Sequence, residues 1–442
     1  MEGRSDFSPT SRAKARPTGR RVIYTVLMYV LTPLFVLRLL WRSRANPAYR
    51  QRMAERFGFA PTLRPCLWLH AVSVGETIAA RPLVERLLQA YPHYPLLVTT
   101  TTPTGSDTVK RLFGARVEHC YLPYDLPDAL GRFLRRTSPV CAIVMETEIW
   151  PNLYAACAQR TIPLLVANAR LSERSVRGYA RVATLVQETL ANVSLIAARG
   201  EQDAWHFQQL GAYAEQVSVC GNIKFDLQIP AGLVEQGQQL RQQWGAKRLV
   251  WVASSTHSGE DEIILRVFAQ LRAHVPELLL IIVPRHPERF DAVARLCAAS
   301  GFASVRRSAG GRVLPETAIL VGDSMGEMLL WYACADVACI GGSWVAHGGH
   351  NPLEAAAFGI PVVSGVHVHN FADIFPPLCA AGGAVLVQDE AALYAQLHAW
   401  LHDVVLRQQA GVAAQIFFRQ NQGALDCLIR HINTLMTIRV GG

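Results

Sequence analysis

Residues 337–354 read VACIGGSWVAHGGHNPLE, and this stretch combines three features that together predict a fold. Val337–Gly341 is a short apolar run ending in paired glycines, which is typical of a buried strand of a parallel sheet. After a glycine-bearing loop, Asn351 and Pro352 have the residue types of a helix N-cap and of a first helical position. Backbone N–H groups at such a helix start attract a phosphate. The stretch therefore predicts a strand, an anion-binding loop and a helix in succession.

The same alternation of apolar runs with helix-length segments extends along most of the chain. It predicts buried parallel strands joined by crossover helices. Two successive series predict an α/β fold with two Rossmann-like domains, with ligands bound beyond the carboxyl ends of the strands and a candidate site in the cleft between the domains. The predicted strands are Leu67–Val72, Leu96–Thr101, Cys141–Glu146, Pro163–Ala169, Leu195–Arg199, Val217–Gly221, Leu249–Ala253, Leu278–Val283, Ala318–Gly322, Val337–Gly341, Pro361–Ser364 and Ala384–Val387.

The length and the charge distribution narrow the possible classes of protein. A chain of 442 residues is too long for one ordinary core, which favours two domains. Residues 1–50 contain ten Lys or Arg and two acids, so +8 of the net charge of +9 lies there. A uniformly basic surface would suggest nucleic acid. The uneven distribution instead predicts a basic arm beside a membrane and no nucleic-acid partner.

The ten cysteines include no C-x-x-C pair and no cluster with histidine at zinc spacing. Cys141, Cys220 and Cys339 lie inside apolar runs, where a thiol behaves as a small hydrophobic side chain. We therefore predict reduced core cysteines in a cytosolic compartment.

An uncharged segment near the amino terminus predicts a membrane anchor. Residues 22–37 contain no charged side chain, and Arg38 and Trp41, residue types found at membrane interfaces, extend the run. A helix needs about 20 apolar residues to span a bilayer. A signal peptide is less favoured because no small-x-small cleavage site follows and Pro33 lies inside the run, and a buried helix is a further alternative. Basic residues flank both ends, so spanning and interfacial arrangements both stay open.

Three segments of the first half are candidates for catalysis. Glu76 follows the first predicted strand, where it is either a capping partner of Ser73 or a general base for an acceptor hydroxyl. Glu146 and Glu148 lie at a strand end, where Glu148 could instead favour the positive end of the following helix. Lys224 closes the first half as either a ligand of an anionic donor or a solvated hinge lysine.

The second half supplies candidate anion-binding residues. Arg285 follows a strand, and its forked donors suit a phosphate or a carboxylate. Glu354 could cap the helix that follows Asn351 or hydrogen-bond a ribose. Glu260–Glu262 is acidic, but its position at a predicted helix start favours a role in complementing the helix dipole. The motifs typical of P-loop and dinucleotide-binding proteins and an Asp-x-Asp segment are absent, which disfavours ATP hydrolysis and redox chemistry.

Seven ordered motifs together resemble the 3-deoxy-D-manno-octulosonic acid (Kdo) transferases of lipopolysaccharide assembly. The resemblance covers about residues 22–430, and Ser324 replaces the threonine expected in its block. The motifs are Ser73–Glu76, Tyr121–Asp125, Glu146–Asn152, Ala167–Arg170, Pro284–Arg289, Asp323–Glu327 and Gly348–Glu354.

The resemblance implies a GT-B fold and transfer of Kdo from CMP-Kdo to a lipid A precursor, lipid IVA, with inversion and release of CMP. Glu76 would be the general base, and Glu146 and Lys224 would stabilise the transition state. Gly348 and Gly349 would cradle phosphate, without a metal or cofactor. The residues that would line CMP are Pro284, Arg285, Met325, Gly326, Glu327, Asn351, Pro352, Leu353 and Glu354.

The predicted organisation has four parts. A basic extension at 1–21 precedes a membrane-anchor helix at 22–44, an acceptor-binding domain at 45–228 and a CMP-sugar-binding domain at 229–442. The expected location is the cell inner membrane, with both domains on the cytoplasmic side. The alternatives are a membrane-associated GT-B enzyme that uses a UDP-sugar and a non-catalytic, two-lobed binding protein tethered to the membrane.

Overall fold

The structure is a computed structural model that describes residues 19–440, with side chains up to residue 437. The described chain forms two compact units. The first contains the residues up to Asp226 together with the carboxyl-terminal segment from Gln422, and the second is Leu227–Asn421. Each unit contains one parallel seven-stranded sheet, which confirms the prediction of two Rossmann-like α/β domains.

The strands of the two sheets alternate with helices along the described residues. The strands are β1 (Cys66–His70), β2 (Leu96–Thr100), β3 (Glu118–Tyr121), β4 (Pro139–Met145), β5 (Leu164–Ala169), β6 (Leu195–Ala198), β7 (Val217–Val219), β8 (Val250–Thr256), β9 (Leu279–Pro284), β10 (Ser304–Arg306), β11 (Ile319–Val321), β12 (Val337–Ile340), β13 (Val362–Gly365) and β14 (Ala384–Val387).

The α-helices cover the faces of the sheets, apart from α1, which precedes the first strand. The helices are α1 (Gly19–Arg42), α2 (Val74–Ala79), α3 (Arg81–Ala90), α4 (Pro103–Phe113), α5 (Pro127–Thr137), α6 (Pro151–Gln159), α7 (Glu173–Ala180), α8 (Ala183–Leu190), α9 (Glu201–Gln209), α10 (Leu233–Trp244), α11 (Glu260–His274), α12 (Phe290–Ala299), α13 (Met328–Cys334), α14 (Leu353–Ala357), α15 (Phe375–Ala380), α16 (Glu390–His402), α17 (Val404–Gln420) and α18 (Ala424–Val440).

The strand order of each sheet determines where a site can form. The first sheet runs β3-β2-β1-β4-β5-β6-β7 and the second runs β10-β11-β9-β8-β12-β13-β14, with every pairing parallel. Both faces of the first sheet are buried under apolar side chains, such as Trp68 on one face and Leu69 on the other. All strands of a parallel sheet end at the same edge, so loops from distant parts of the chain meet there.

Two strands were missed by the sequence prediction, and both lie at sheet edges. β3 and β10 are short and only partly buried, with polar residues such as Glu118 and Ser304. An edge strand has only one neighbour and a solvent-exposed side, so it does not need the continuous apolar run by which central strands are recognised.

The carboxyl-terminal segment departs from the predicted domain boundary. The prediction assigned residues 229–442 to one domain, whereas α18 packs on α3 and on the first sheet, and Asp226 accepts the backbone N–H groups of Gly423 (2.7 Å) and Leu425. Apolar α18 residues such as Leu428 and Ile432 complete the core of the first unit. Burial of this face explains why the chain returns to the first unit.

We predicted that the core cysteines, including Cys141, Cys220 and Cys339, are reduced, and this prediction is wrong for Cys220. α18 brings Cys427 against Cys220, and the two form a disulfide. His431, one helical turn beyond Cys427, lies within 4.8 Å of both sulfur atoms. Cys141 and Cys339 are buried thiols that form no disulfide, as predicted.

One helix in the described part of the chain, α1, is long and apolar enough to cross a membrane by length and composition. It overlaps the anchor predicted at 22–44, and its last helical residue is Arg42. Most of the basic extension at 1–21 lies outside the described residues.

Candidate functional site

The carboxyl edge of the first sheet gathers charged residues from four separate loops. Glu76 follows β1, Glu146 follows β4, Arg199 follows β6 and Lys224 follows β7. Because β1, β4, β5, β6 and β7 are consecutive neighbours in one parallel sheet, these loops lie side by side. The sequence placed Glu76, Glu146 and Lys224 at strand ends but gave no role to Arg199.

Glu76 occupies the first turn of α2, where its contacts differ from a capping box only in that the backbone donor is Val72 rather than the N-cap residue Ser73. Its N–H donates to Ser73 Oγ (3.2 Å), and its carboxylate accepts the N–H of Val72 (2.7 Å) and the hydroxyl of Ser73 (3.2 Å). Burial raises the pKa of Glu76, and the charge of Glu146 raises it further. The capping role is therefore present, but the same half-buried carboxylate also lies within electrostatic reach of Glu146.

Glu146 adopts a left-handed backbone conformation with φ 58°. Such a conformation costs a residue with a Cβ about 1–2 kcal/mol and persists only where its surroundings hold it. The N–H of Glu146 donates to the carbonyl of Ala167 (2.9 Å), and its carboxylate pairs with Arg199 at 2.6 Å. The Arg199 side chain is only 5% exposed, so this ion pair is well shielded from solvent. The left-handed turn places the Glu146 carboxylate against the buried guanidinium of Arg199.

Glu148 completes a group of three carboxylates at this edge. Burial, followed by the charges of Glu76 and Glu146, raises the pKa of Glu148 to about 7, although Trp150 donates its indole N–H to Glu148 at 2.8 Å. Carboxylates this close cannot all ionise without mutual repulsion. Glu148 therefore holds a proton for part of the time near neutral pH, which favours the ionised form of Glu76.

The short 3₁₀ turn Ile223–Phe225, which carries Lys224, is fastened to the end of β5. The N–H of Ile223 donates to Asn168 Oδ1 at 3.1 Å, and the N–H of Lys224 donates to Asn222 Oδ1 at the same distance. Asn168 itself has φ 53°, a conformation that asparagine tolerates better than most residues. The half-buried Lys224 is thus held at the same sheet edge as Glu146.

In the second unit, Arg285 follows β9 and lies beside a group of histidines. Its N–H continues the sheet pairing by donating to the carbonyl of Thr256 (3.0 Å), and its side chain is exposed. The Nε2 atoms of His257 and His350 are 2.8 Å apart, and the His257 ring stacks on His347 with centroids 4.2 Å apart. Burial and the nearby Arg285 charge lower the pKa of His350 to about 4, so this imidazole is neutral at physiological pH.

A fully buried carboxylate shapes the glycine-rich loop after β12. Glu260 accepts the backbone N–H groups of Gly342 (2.7 Å), Ser343 (2.9 Å), Trp344 (3.0 Å) and His257 (2.9 Å). Four N–H groups on one carboxylate go well beyond complementing a helix dipole, which was its predicted role. Glu260 is therefore a positioning residue for this loop.

The glycines of the loop are required by its backbone. Gly348 and Gly349 have φ of 92° and 73°, and the N–H of Gly349 donates to the carbonyl of Gly342 at 2.8 Å. A Cβ at Gly348 would lie 2.4 Å from the side-chain nitrogen of Asn370, so no larger residue fits unless that side chain moves. The loop can therefore bring its backbone close to a ligand.

The helix start after this loop differs slightly from the prediction. α14 begins at Leu353 rather than Pro352 and has five residues, and Asn351 Oδ1 accepts the N–H of Leu353 at 3.1 Å. Burial raises the pKa of Glu354, with Asn351 and Arg285 opposing the rise. The N-cap position is therefore Pro352 and not Asn351 as predicted, although Asn351 still accepts the N–H of the first helical residue, and a helix this short contributes a weak dipole.

The segment Met325–Glu327 lies at the end of the loop after β11. Met325 is 65% exposed, Gly326 has φ 86°, and Glu327 precedes α13. The guanidinium of Arg307 contacts the Glu327 carboxylate at 2.7 Å and lowers its pKa. This exposed methionine beside a fixed carboxylate is available to a ligand.

Comparison with known proteins identifies the family. A family model described as "3-Deoxy-D-manno-octulosonic-acid transferase (kdotransferase)" matches residues 51–227. A 3-deoxy-D-manno-octulosonic acid transferase from Haemophilus influenzae is 44% identical over 92% of this chain and 97% of its own length. The corresponding protein from Bordetella pertussis is 38% identical over 91% and 96%. The chain belongs to the Kdo transferase family. It is thus a glycosyltransferase, as the motifs had indicated.

The fold of this Kdo transferase also occurs in proteins of low sequence identity. A UDP-GlcNAc 2-epimerase from Neisseria meningitidis, solved with UDP-GlcNAc bound, has a TM-score of 0.53 and 13% identity and covers 84% of this chain and 100% of its own. At this identity the likeness concerns the fold alone, which is GT-B-like.

Two charged residues of this Kdo transferase were not recognised as important from its sequence. Arg199 directly follows β6, and Glu260 begins α11. A cation immediately after a short apolar run at a predicted strand end was the available signal for Arg199. No sequence signal distinguishes Glu260 from its exposed neighbour Glu262, because three of the four N–H groups that Glu260 accepts come from a loop more than 80 residues away.

The raised pKa of Glu148 leads to a testable pH dependence of stability. A carboxyl group that keeps its proton in the folded state contributes stability below the ordinary glutamate pKa, and this contribution is lost as pH rises through about 7. We expect Glu148→Gln, which is neutral at every pH, to be about 1–2 kcal/mol more stable than the parent at pH 8, after allowing for partial solvent exposure, and little changed at pH 4.5. Urea unfolding at the two pH values measures this.

The matched control for this experiment is Glu173→Gln on the exposed face of α7. As an exposed surface substitution, it should change stability by no more than about 0.5 kcal/mol at either pH. Equal effects of Glu148→Gln at pH 4.5 and pH 8 would contradict the assignment.

Proposed function

We propose that this Kdo transferase takes Kdo from CMP-Kdo and transfers it, with inversion, to a hydroxyl group of a lipid A precursor, lipid IVA, releasing CMP. The observation that carries the proposal is the convergence of Glu76, Glu146 and Lys224 with Arg199 at one sheet edge. The first unit would bind the acceptor, and the second unit would bind the nucleotide.

In the proposed reaction, Glu76 accepts the proton of the acceptor hydroxyl. The hydroxyl oxygen forms a bond to the anomeric carbon of Kdo, while the bond from that carbon to the phosphate oxygen breaks and its electron pair leaves with CMP. The raised pKa of Glu76 supports its role, since a base is most effective when its pKa approaches the working pH. Glu146 would offset positive charge developing at the anomeric carbon, and Lys224 would offset the negative charge of the donor.

CMP would be held by the loops at the carboxyl edge of the second sheet. Arg285 supplies a charged donor for the phosphate, and the loop through Gly348 and Gly349 supplies close backbone approach. Together, the charge of Arg285 and the backbone N–H groups of this loop would stabilise the phosphate without a metal. The remaining residues proposed to contact the nucleotide are Pro284, Met325, Gly326, Glu327, Asn351, Pro352, Leu353 and Glu354.

The apolar helix α1 supports a location at the inner membrane, with both units on its cytoplasmic side. A lipid acceptor is embedded in a bilayer, so an enzyme that modifies its sugar hydroxyl benefits from being held at the membrane surface. Phosphates on the acceptor would match the basic residues clustered in the first 50 positions.

Binding of CMP gives a direct test of the nucleotide site. We expect Arg285→Ala to raise the Kd for CMP by about 10- to 100-fold, because a charged hydrogen bond to the phosphate is lost. Isothermal titration calorimetry of the full chain measures the change. Arg295→Ala, on an exposed position of α12, is the control and should leave the Kd unchanged. If the parent and Arg285→Ala bind CMP with equal Kd, Arg285 does not contribute to the nucleotide site.

Activity on a defined acceptor tests the proposal as a whole. Radiolabelled CMP-Kdo and lipid IVA should yield a labelled lipid, whereas UDP-sugars should yield none. Tighter binding of UDP than of CMP would instead favour a UDP-sugar donor. Donor binding without transfer of label would favour a non-catalytic binding protein.

A further inference from the structure

Helix α1 has two different faces along its whole length. One face is exposed and apolar, and it includes Ile23 (70% exposed), Val26, Val30, Leu34, Leu37 and Trp41 (68%). The residues of the opposite face recur every three or four positions along the helix and are buried or half-buried against the first unit. A helix that crosses a bilayer alone would be surrounded by lipid on every side, so this asymmetry needs its own explanation.

The buried face is attached to the first unit by hydrogen bonds. The hydroxyl of Tyr24 donates to Asp125 Oδ2 at 2.9 Å, and the hydroxyl of Tyr29 donates to Asp128 Oδ1 at 2.7 Å. The hydroxyl of Thr25 has two possible acceptors for its one hydrogen, Asn152 Oδ1 at 2.9 Å and the carbonyl oxygen of Arg21 at 2.8 Å. Tyr24 and Thr25 are neighbours on one turn of this mostly apolar helix, Tyr29 lies on the next turn and is 45% exposed, and each has a partner on the globular unit.

Apolar packing continues this attachment between the hydrogen bonds. Met28 is buried against Leu126 and Ala129 of the α5 region. About two turns further along α1, Phe35 stacks on Tyr124 with ring centroids 6.1 Å apart. The attachment therefore extends from Tyr24 to Phe35, which is about half of the length that a bilayer span would need.

Asp125 is the central residue of this attachment. It is 3% exposed, and its carboxylate also accepts the N–H groups of Asn152 (3.0 Å) and Leu153 (2.7 Å) at the start of α6. If α1 left the unit to cross a bilayer, the buried carboxylate of Asp125 would lose the hydroxyl of Tyr24, and that hydroxyl would lose its partner, whereas Thr25 would keep the carbonyl of Arg21 as an acceptor. Unpaired polar groups are costly in both places.

We propose that α1 does not cross the bilayer but lies along its surface as a fixed part of the first unit, with its apolar face inserted into an anionic lipid leaflet. The charges at its ends fit this occupant, because Arg20, Arg38, Arg42 and Arg44 flank the apolar face with positive charge. The inference rests on the proposed function only in taking a membrane lipid as the acceptor.

The residues of the first unit that contact α1 lie close to the catalytic edge, so the attachment also brings the membrane surface near that edge. Asn152, which contacts α1, lies four residues beyond Glu148, and Trp150 between them donates to Glu148 at 2.8 Å. The Tyr121–Asp125 and Glu146–Asn152 motifs would therefore orient the first unit on the lipid surface, in addition to any contact with the substrate.

Depth measurements in vesicles separate a surface helix from a spanning one. Spin labels on cysteines introduced singly at Ile23, Val30 and Leu37, with Cys379 replaced by serine, are read by power-saturation EPR in phosphatidylglycerol-containing vesicles. The other free cysteines are buried. A surface helix should place all three labels at one shallow depth of about 5–10 Å. Val30 at about 15 Å, near the bilayer centre, with Ile23 and Leu37 near opposite surfaces, would overturn the proposal.

Vesicle binding supplies a second readout. Val30→Asp should weaken binding of the full chain to the same vesicles by more than about 10-fold, because a charge enters the inserted face. Val412→Asp, on an exposed position of α17, is the matched control and should bind as the parent does. Unchanged binding by Val30→Asp would also overturn the proposal. Both assays omit the nucleotide donor, so failure of Kdo transfer would leave their results unaffected.

Discussion

Replacing Glu76 with glutamine is expected to lower kcat by about two to four orders of magnitude, the usual contribution of a general base. Glutamine preserves the size of the side chain and one oxygen that can accept the N–H of Val72, so the start of α2 should survive. It cannot accept a proton from the acceptor hydroxyl. Transfer of labelled Kdo to lipid IVA under saturating substrates measures the effect.

The pH profile of the parent enzyme adds an independent readout. A base must be ionised to act, and burial raises the pKa of Glu76 above that of an ordinary glutamate. Activity should therefore fall as pH decreases, with its midpoint above the usual glutamate pKa of about 4.5, and Glu76→Gln should lose this dependence. Ser73→Ala, which removes the helix cap but no proton acceptor, is the control and should retain most of kcat. Near-normal transfer by Glu76→Gln would refute the base assignment.

Replacing Glu260 with alanine is expected to destabilise the second unit by about 3 kcal/mol or more, because several buried N–H groups lose their acceptor. For a unit of this size the thermal midpoint should fall by about 6–12 °C. The loop through Gly342 and Trp344 would lose the anchor that holds it, so CMP affinity should fall as well. Differential scanning calorimetry with and without CMP measures both effects.

Glu262→Ala is the matched control for Glu260→Ala. Both residues lie in the first turn of α11, so both contribute a negative charge to the same helix start, but Glu262 is exposed. The control should change the midpoint by no more than the loss of one surface charge does, about 0.5 kcal/mol. Equal effects of the two substitutions would mean that Glu260 acts only on the helix dipole.

The central strands were predictable because their environment imposes a pattern. Each of the twelve predicted runs corresponds to a strand. Ten of them are central strands, which must be apolar because they are buried on both faces, and the other two, β7 and β14, are edge strands that are only partly buried. Edge strands such as β3 escape this requirement. The same logic explains the site: Glu76 and Glu146 were recognisable as candidates because they directly follow such runs.

The residues that were not recognised depend on contacts that are remote in sequence. Arg199 is paired with Glu146, 53 residues away, and Glu260 accepts N–H groups from a loop that begins 82 residues later. Neither interaction leaves a local pattern. Their importance follows from which loops the parallel sheet brings together.

The sequence by itself determined the alternating α/β architecture, the family and the positions of the main carboxylates, because these follow from hydropathy patterns and from motifs that are contiguous in the chain. Only the tertiary structure decided that α18 returns to the first unit, that Cys220 pairs with Cys427, and that one face of α1 is attached to Asp125 and Asn152. Each depends on apolar area and hydrogen-bond partners supplied by distant segments, and no local pattern records which segments will meet.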